Sequence, residues 1–185
     1  MNLREKYGEW GIVLGATEGV GKAFCEKLAQ GGMNVVMVGR REEKLKELGE
    51  SIKQTYGVDY KVVKADFSTP NATDAIFAAT EGLDMGFMSY VACLHSFGKI
   101  QDTPWEKHEA MINVNVVTFM KCFYHYMKIF AAQDRGAVIN VSSMTGISSS
   151  PWNGQYGAGK AFILKMTEAV ACEVEKTNVD VEVIT

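Results

Sequence analysis

The sequence of 185 residues has few prolines, few histidines and no long uninterrupted apolar run. Only three prolines leave room for long regular segments. The three histidines, His95, His108 and His125, show no metal-ligand spacing, so no metal site is expected. The amino terminus lacks the apolar core of a signal peptide. Residues 136–159 carry no charge, but Ser, Asn, Thr and Gly interrupt them, so no membrane segment is expected.

An excess of positive charge is also lacking, because the formal net charge is -3. With no basic patch, nucleic acid is not an expected partner. The sequence contains no C-x-x-C pair, which predicts separate thiols in a reducing compartment and a cytoplasmic location. The cysteines are Cys25, Cys93, Cys122 and Cys172.

Apolar runs alternate with helical patterns along the whole chain. Strands are predicted at 10–15, 34–39, 59–67, 87–93, 136–143 and 179–185. Helices are predicted at 20–30, 40–57, 71–81, 105–132 and 156–176. This alternation predicts an α/β fold with a doubly wound parallel sheet. Ligands of such sheets bind beyond the carboxyl ends of the strands.

A glycine-rich loop, GATEGVG, follows the first predicted strand and holds Gly15, Gly19 and Gly21. Glycine permits close approach of the backbone, and the free N–H groups of a helix start attract a pyrophosphate. The loop therefore predicts a dinucleotide site, with Thr17 and Val20 also contacting the cofactor. The alternative is a tight turn that binds no ligand.

The second predicted strand is followed by Arg40 and Arg41. A carboxylate at this position would hydrogen-bond the adenosine ribose of NAD(H). Arginine matches a phosphate, so NADP(H) is favoured over NAD(H). Alternatively, both arginines are simply solvated, and Glu18 nearby counts against phosphate binding. Other predicted cofactor contacts at strand ends are Asp66, Phe67 and Ala92.

The pattern Tyr-x-x-x-Lys occurs three times, and two of these occurrences are poor candidates for proton transfer. Tyr60 and Lys64 lie in a predicted strand, where four residues span roughly 13 Å. Tyr124 and Lys128 lie late in a long helix, away from the strand ends, and are expected to form a surface or interface pair.

Tyr156 and Lys160 follow the fifth predicted strand, one helical turn apart. An ammonium close to a phenol lowers the phenol pKa from its usual value of about 10, which suits acid–base catalysis. Ser143 lies thirteen residues before this tyrosine. Gly157 and Gly159 within the motif indicate that something approaches the helix backbone closely.

Five motifs, in their order and spacing over essentially the whole chain, resemble the short-chain dehydrogenase/reductase family. They are GATEGVG, ADF (65–67), VNV (114–116), NVSS (140–143) and YGAGK (156–160). The resemblance is greatest to the branch of 17β-hydroxysteroid dehydrogenases and very-long-chain 3-oxoacyl-CoA reductases. It implies a Rossmann-like fold, a nicotinamide cofactor, and an apolar carbonyl or alcohol substrate that is steroid-like or long-chain.

The resemblance also implies roles for four residues. Tyr156 would be the general acid/base, and Ser143 would bind the substrate oxygen. Lys160 would lower the pKa of the tyrosine and hold the nicotinamide ribose, so that both residues also contact the cofactor. Asn115 would bind a water that relays protons.

Residues 1–185 are expected to form a single catalytic, dinucleotide-binding domain, truncated after the sixth strand. Family members continue with a substrate-binding segment and a seventh strand. Cys93 stands where they have Gly, close to the cofactor. The family also implies a homodimer or homotetramer. The alternative function is a non-catalytic module that senses NADP(H).

Overall fold

The computed structural model describes residues 2–148 and 150–185. Within these residues, the protein is one parallel sheet of six strands in the order β3-β2-β1-β4-β5-β6. The strands are β1 (Trp10–Leu14), β2 (Asn34–Gly39), β3 (Tyr60–Lys64), β4 (Met85–Tyr90), β5 (Gly136–Val141) and β6 (Val179–Ile184). The predicted α/β class and doubly wound, Rossmann-like sheet are confirmed.

Helices connect the strands and cover both faces of the sheet. They are α1 (Leu3–Tyr7), α2 (Gly19–Gln30), α3 (Glu42–Tyr56), α4 (Ala72–Thr80), α5 (Trp105–Ile112), α6 (Phe119–Gln133) and α7 (Gly154–Glu173). Among the described residues, no helix is long and apolar enough to span a membrane.

Neighbouring residues of each central strand enter different cores. Ile12 packs in the core formed with α4, α6 and α7, whereas Val13 packs in the core formed with α2 and α3. In β2, Val36 packs in the first of these cores and Val35 packs in the second. Since both faces are buried, these strands are continuously apolar, which explains why they stood out in the sequence.

The direction in which strands are added reverses between β1 and β4. Strands β2 and β3 lie on one side of β1, and β4, β5 and β6 lie on the other. The loops that leave β1 and β4 therefore diverge and leave a gap at the carboxyl ends of these strands. The register pairs Leu14 with Tyr90 at that end.

The prediction of one continuous helix at 105–132 is wrong, because the helix is interrupted. A π-helical segment, Asn113–Thr118, separates α5 from α6. The side chains of this segment bond to distant loops: Asn113 Nδ2 donates to Ser68 O at 3.0 Å, and Thr118 Oγ1 donates to Phe67 O at 2.9 Å. The residues in these contacts are far apart in the sequence, so no local pattern could predict the interruption.

Among the further differences from the sequence prediction are the end of β3 and the presence of α1. β3 ends at Lys64 rather than near 67, because Asp66 and Ser68 form a turn. The helix α1 was not predicted, and its N-cap is Asn2, whose side chain accepts from the Glu5 amide.

Helices α4 and α6 pack through aromatic rings on the outer side of the sheet. The rings of Phe77 and His125 stack with centroids 3.9 Å apart, and Tyr126 meets both rings edge-on. Burial lowers the pKa of His125, and the charge of Lys128 lowers it further.

Replacement of His125 by Phe is expected to reduce the acid sensitivity of the fold. Because the pKa of His125 is lower in the folded state, the unfolded state binds more protons below its own pKa of about 6.5. Stability is therefore lost as pH falls through this region. The melting temperature should fall less in His125→Phe than in the unsubstituted protein between about pH 7.5 and about pH 5.5. An equal fall in both proteins would contradict the assignment.

Candidate active site

A crevice of about 380 Å³ occupies the gap at the carboxyl ends of the strands. It brings together residues from five strand ends and from α7. The predicted residues that line it are Gly15, Thr17, Val20, Arg40, Arg41, Asp66, Phe67, Ala92, Tyr156 and Lys160. Gly19 and Gly21, which were also predicted, shape the loop at one end of the crevice rather than its lining.

The loop between β1 and α2 is closed by contacts that leave no room for a side chain. Gly15 has φ of 99°, and a Cβ placed on it would lie 2.6 Å from the backbone nitrogen of Ala92. A Cβ on Gly21 would lie 2.0 Å from the carbonyl oxygen of Gly15. The first turn of α2 is therefore pressed against the end of β1.

The start of α2 fits a pyrophosphate. Its N-cap residue, Glu18, makes no side-chain capping bond, so the first N–H groups of the helix are not satisfied by that side chain. Gly19 has φ of 56°, and a Cβ placed on it would meet open space. Free helix N–H groups and an open approach at a glycine are what an anionic diphosphate needs.

Two arginines lie at the end of the crevice below β2. Arg41 forms an ion pair with Glu18 at 2.8 Å, and this contact lowers the pKa of the Glu18 carboxyl. Because the charge of Arg41 offsets that of Glu18, the repulsion between Glu18 and a bound phosphate is reduced. In the described part of the chain, Arg40 lines the crevice and has no carboxylate within ion-pair distance.

Asp66 is held in a fixed orientation at the same end. Its Oδ1 atom accepts from the Ser68 amide at 3.0 Å and from the Ser68 hydroxyl at 2.8 Å. These bonds lower the pKa of Asp66, and the charge of Arg40 adds to the effect. The carboxylate is therefore available as a fixed acceptor.

The predicted proton-transfer group is assembled at the other end of the crevice. Ser143 follows β5, and Tyr156 lies in the first turn of α7. The Ser143 oxygen accepts from the Thr145 amide at 3.2 Å and from the Thr145 hydroxyl at 3.0 Å. The Ser143 side chain also lies close enough to the Tyr156 phenol to lower its pKa. The structure therefore brings together the serine and the tyrosine that the sequence singled out.

Lys160 lies beneath Tyr156 and is almost completely buried, with 1% of its surface exposed. Its Nζ atom lies 5.8 Å from the centre of the Tyr156 ring. The ammonium donates to Val141 O at 2.8 Å, so it points toward the end of β5. Burial lowers the pKa of Lys160.

The expected lowering of the Tyr156 pKa by Lys160 is not seen. Burial raises the pKa of Tyr156, the neighbouring Cys93 raises it further, and the bond from Ser143 lowers it. The physical reason is that Lys160 directs its ammonium at Val141 rather than at the phenol oxygen. The Tyr-x-x-x-Lys spacing fixed the proximity of the two residues but not the direction of the ammonium.

The two glycines of the YGAGK motif are explained by close packing, as the sequence indicated. A Cβ on Gly157 would lie 2.8 Å from Thr145 O, and a Cβ on Gly159 would lie 2.8 Å from the Cβ of Asn115. Helix α7 is therefore seated directly against the loop after β5 and against the π-helical segment.

Asn115 does not line the crevice and lies behind it. Its Nδ2 atom donates to Leu94 O at 2.7 Å, and its Oδ1 atom accepts from Leu94 N at 3.0 Å. Both polar atoms of the side chain thus bind the backbone of one residue. The water relay expected at Asn115 stays a prediction.

The two other Tyr-x-x-x-Lys pairs lie outside the crevice. The Tyr60 hydroxyl bonds to Glu50 on α3. Tyr124 is 59% exposed, and Lys128 Nζ lies 5.5 Å from the centre of its ring. The prediction of a surface pair at this position is confirmed.

Several residues that were not among the predicted site residues also form the site. The crevice is lined in addition by Glu18, Gly39, Ser68, Val91, Cys93, Leu94, Val114, Val141 and Ser142. The ring of His95 meets the ring of Tyr156 edge-on at 5.9 Å. Gly39 and Val141 end a strand, and Val91 and Ser142 immediately follow one, so the rule that ligands bind at strand ends was the signal available to find these four.

A doubly wound sheet with a glycine-lined crevice and a Ser–Tyr–Lys group at its strand ends defines a dinucleotide-binding oxidoreductase. A family model described as short chain dehydrogenase matches residues 9–185, and the chain belongs to this family of nicotinamide-dependent oxidoreductases. The predicted family is confirmed.

The relatives define a branch of this family. The chain is 91% identical over 185 residues to a 7beta-hydroxysteroid dehydrogenase of Mediterraneibacter gnavus, covering 100% of this chain and 70% of that protein. A solved structure from work on the stereoselectivity of 7beta-hydroxysteroid dehydrogenase matches this chain with a TM-score of 0.99 and 86% sequence identity. The match covers 100% of this chain and 71% of the other chain. The predicted branch also appears, since 17-beta-hydroxysteroid dehydrogenase type 3 of Mus musculus is 32% identical, covering 96% of this chain and 59% of that protein.

Replacement of Gly21 by Ala is expected to disrupt the loop between β1 and α2. The added methyl group would meet the Gly15 carbonyl at 2.0 Å, so the loop must move. We expect a stability loss of about 1–3 kcal/mol and weaker binding of NADPH, measured by thermal unfolding and by titration. Gly154→Ala is the matched control, because a Cβ there meets nothing within 4 Å. Equal behaviour of the two variants would refute the proposed role of Gly21.

Proposed function

We propose that the protein is an NADP(H)-dependent 7β-hydroxysteroid dehydrogenase, which interconverts a 7-oxosteroid and the 7β-hydroxysteroid. The observation that carries the proposal is the placement of Tyr156 at one end of the crevice, with Lys160 Nζ 5.8 Å from its ring centre and with Ser143 close enough to lower the phenol pKa. It is supported by the identity of 91% to a relative with this activity in its name.

Tyr156 handles the proton. In the reductive direction, its hydroxyl gives a proton to the ketone oxygen while the carbonyl carbon gains a hydride. In the oxidative direction, the phenolate takes the proton back from the alcohol. NADP(H), when bound, supplies or accepts the hydride. Ser143 holds the substrate oxygen, and Lys160 holds the nicotinamide ribose.

The pKa of the tyrosine suits the reductive direction. Because burial raises the pKa of Tyr156, the phenol remains protonated at neutral pH and is ready to act as an acid. Oxidation needs the phenolate, so it should be favoured by alkaline conditions. Ser143, whose bond lowers the pKa of Tyr156, limits the shift caused by burial.

Exposed apolar side chains close to the Ser143–Tyr156 pair support a bulky apolar substrate. Phe97 is 71% exposed, Met144 is 64% exposed and Ile147 is 61% exposed. Phe97 packs against His95, whose ring contacts Tyr156. Apolar groups that remain exposed beside a reactive centre are suited to contact a steroid skeleton.

The preference for NADP(H) over NAD(H) is assigned to Arg40 and Arg41. β2 ends at Gly39 without the carboxylate that would repel a 2′-phosphate. Since Arg41 is already paired with Glu18, we assign the principal phosphate contact to Arg40. The Arg41–Glu18 pair closes the crevice beside it.

The residues are also consistent with assembly into a homodimer or homotetramer, which belongs to the same proposal. Trp105 and Ile112 on α5 are 66% and 39% exposed, and Tyr124 on α6 is 59% exposed. Residues 1–185 act in this proposal as one catalytic domain. A non-catalytic NADP(H) sensor is less well supported, because a sensor has no use for the proton-transfer group.

Tyr156→Phe is expected to abolish most turnover and to leave cofactor affinity almost unchanged. Loss of the acid–base group should lower kcat about 10²- to 10⁴-fold, because the substituted ring has no hydroxyl to give the proton. Turnover is measured from nicotinamide absorbance with a 7-oxosteroid and NADPH, and affinity by titration with NADPH.

A 3-oxosteroid and a 17-oxosteroid serve as controls for the position of attack. Reduction of the 7-oxosteroid to the 7β-alcohol supports the proposed substrate. Faster reduction of either control would reject it, and full activity of Tyr156→Phe would reject the mechanism.

Arg40→Ala is expected to weaken the binding of NADPH selectively. A charge-assisted bond to the 2′-phosphate contributes about 1.5–3 kcal/mol, so the dissociation constant should rise about 10- to 100-fold. The dissociation constant of NADH, which lacks this phosphate, is the internal control and should change little. Parallel changes for both cofactors, or tighter binding of NADH by the unsubstituted protein, would refute the cofactor assignment.

A further inference from the structure

Tyr90, the last residue of β4, is a buried tyrosine for which neither the fold nor the proton-transfer group gives a function. It is 0% exposed. Its ring packs between Phe67 and Phe119, with centroid distances of 5.9 and 5.4 Å. This close packing on both sides of the ring holds the phenol oxygen in place.

The hydroxyl of Tyr90 donates to the carbonyl oxygen of Val114 at 2.6 Å. Val114 lies in the π-helical segment that interrupts the helix between α5 and α6. Such segments are often found at functional sites and need partners for backbone groups that leave the α-helical register. Burial keeps the pKa of Tyr90 well above its usual value, so the hydroxyl remains a donor at all ordinary pH values.

The residue after Val114 is Asn115, and it connects the π-helical segment to the reacting end of the crevice in two ways. Its amide group binds both polar backbone atoms of Leu94, which lies next to Cys93 at the phenol of Tyr156. Its Cβ is also the atom that a side chain at position 159 would meet at 2.8 Å.

Position 159 lies between Tyr156 and Lys160 in α7. A displacement of Asn115 would therefore move either the segment that carries Cys93 or the turn of α7 that carries the proton-transfer group. The first of these contacts the phenol of Tyr156 through Cys93, and the second carries Tyr156 itself. The position of Asn115 depends on the preceding carbonyl, because the two residues share a peptide unit.

We propose that Tyr90 is a positioning residue for the proposed reaction: its hydroxyl anchors the Val114 carbonyl, and through Asn115 it sets the place of Leu94 and of the Tyr156 turn of α7. It touches neither substrate nor cofactor and acts through the π-helical segment. This inference rests on the proposed function for its effect on turnover, but the anchoring itself is independent of that function.

Tyr90→Phe tests the anchor, and Tyr126→Phe is the matched control. Tyr126 is also 0% exposed, and its hydroxyl bonds to Thr80 Oγ1 at 3.0 Å between α4 and α6, away from the crevice. Each substitution removes one buried hydroxyl and keeps the ring. The two variants should therefore lose similar stability, which thermal unfolding measures first.

The first readout is amide hydrogen exchange, followed by mass spectrometry. Loss of one bond of ordinary strength should speed exchange about fivefold in residues 91–95 and 113–118 of Tyr90→Phe. Tyr126→Phe should leave these segments unchanged. In the unsubstituted protein, the Leu94 amide should be as protected as the amides of β4. A freely exchanging Leu94 amide, or equal exchange in both variants, would overturn the proposal.

The second readout is turnover of a 7-oxosteroid with NADPH. Misplacement of the tyrosine should lower kcat about tenfold or more in Tyr90→Phe, with the KM for NADPH changed less than about twofold. Tyr126→Phe should keep its kcat. Equal kcat values in the two variants would overturn the positioning role. If the unsubstituted protein does not reduce the steroid, the proposed function fails, and hydrogen exchange alone decides whether the anchor exists.

Discussion

The constraint on which the structure depends is that both faces of a parallel sheet must be covered. The apolar residues of β1 and β2 alternate between two cores, and helices on opposite faces bury them. Strand addition must then reverse, and it does so between β1 and β4. The crevice is a consequence of that reversal, since the two loops that leave these strands turn away from each other.

Close backbone packing turns this gap into a shaped site. The α2 turn is pressed onto β1 at Gly21, and α7 is pressed onto the π-helical segment at Gly159. Neither contact leaves space for a methyl group. At each end of the crevice, a glycine allows two elements to pack closely where the side chain of another residue would force them apart.

The electrostatics of the site follow from burial more than from charge pairing. Burial raises the pKa of Tyr156 and lowers that of Lys160, so it favours the neutral form of both. Hydrogen bonds then set the details: Ser143 lowers the phenol pKa, and Val141 takes the ammonium of the lysine. A protonated phenol beside a serine hydroxyl is what the proposed reduction of a ketone requires.

The class of the fold, the glycine loop, and the proximity of Ser143 to Tyr156 could be predicted from the amino-acid sequence. Each depends on a short-range pattern, either the period of apolar residues or a spacing that places a residue at a strand end. Tertiary structure alone decided the π-helical break, the bonds of Asn115 to Leu94, and the direction in which Lys160 points. These depend on contacts between residues that are far apart in the chain, and on how much water the packed helices exclude. No local pattern encodes either quantity, and so the pKa of Tyr156 could not be deduced from its neighbours in sequence.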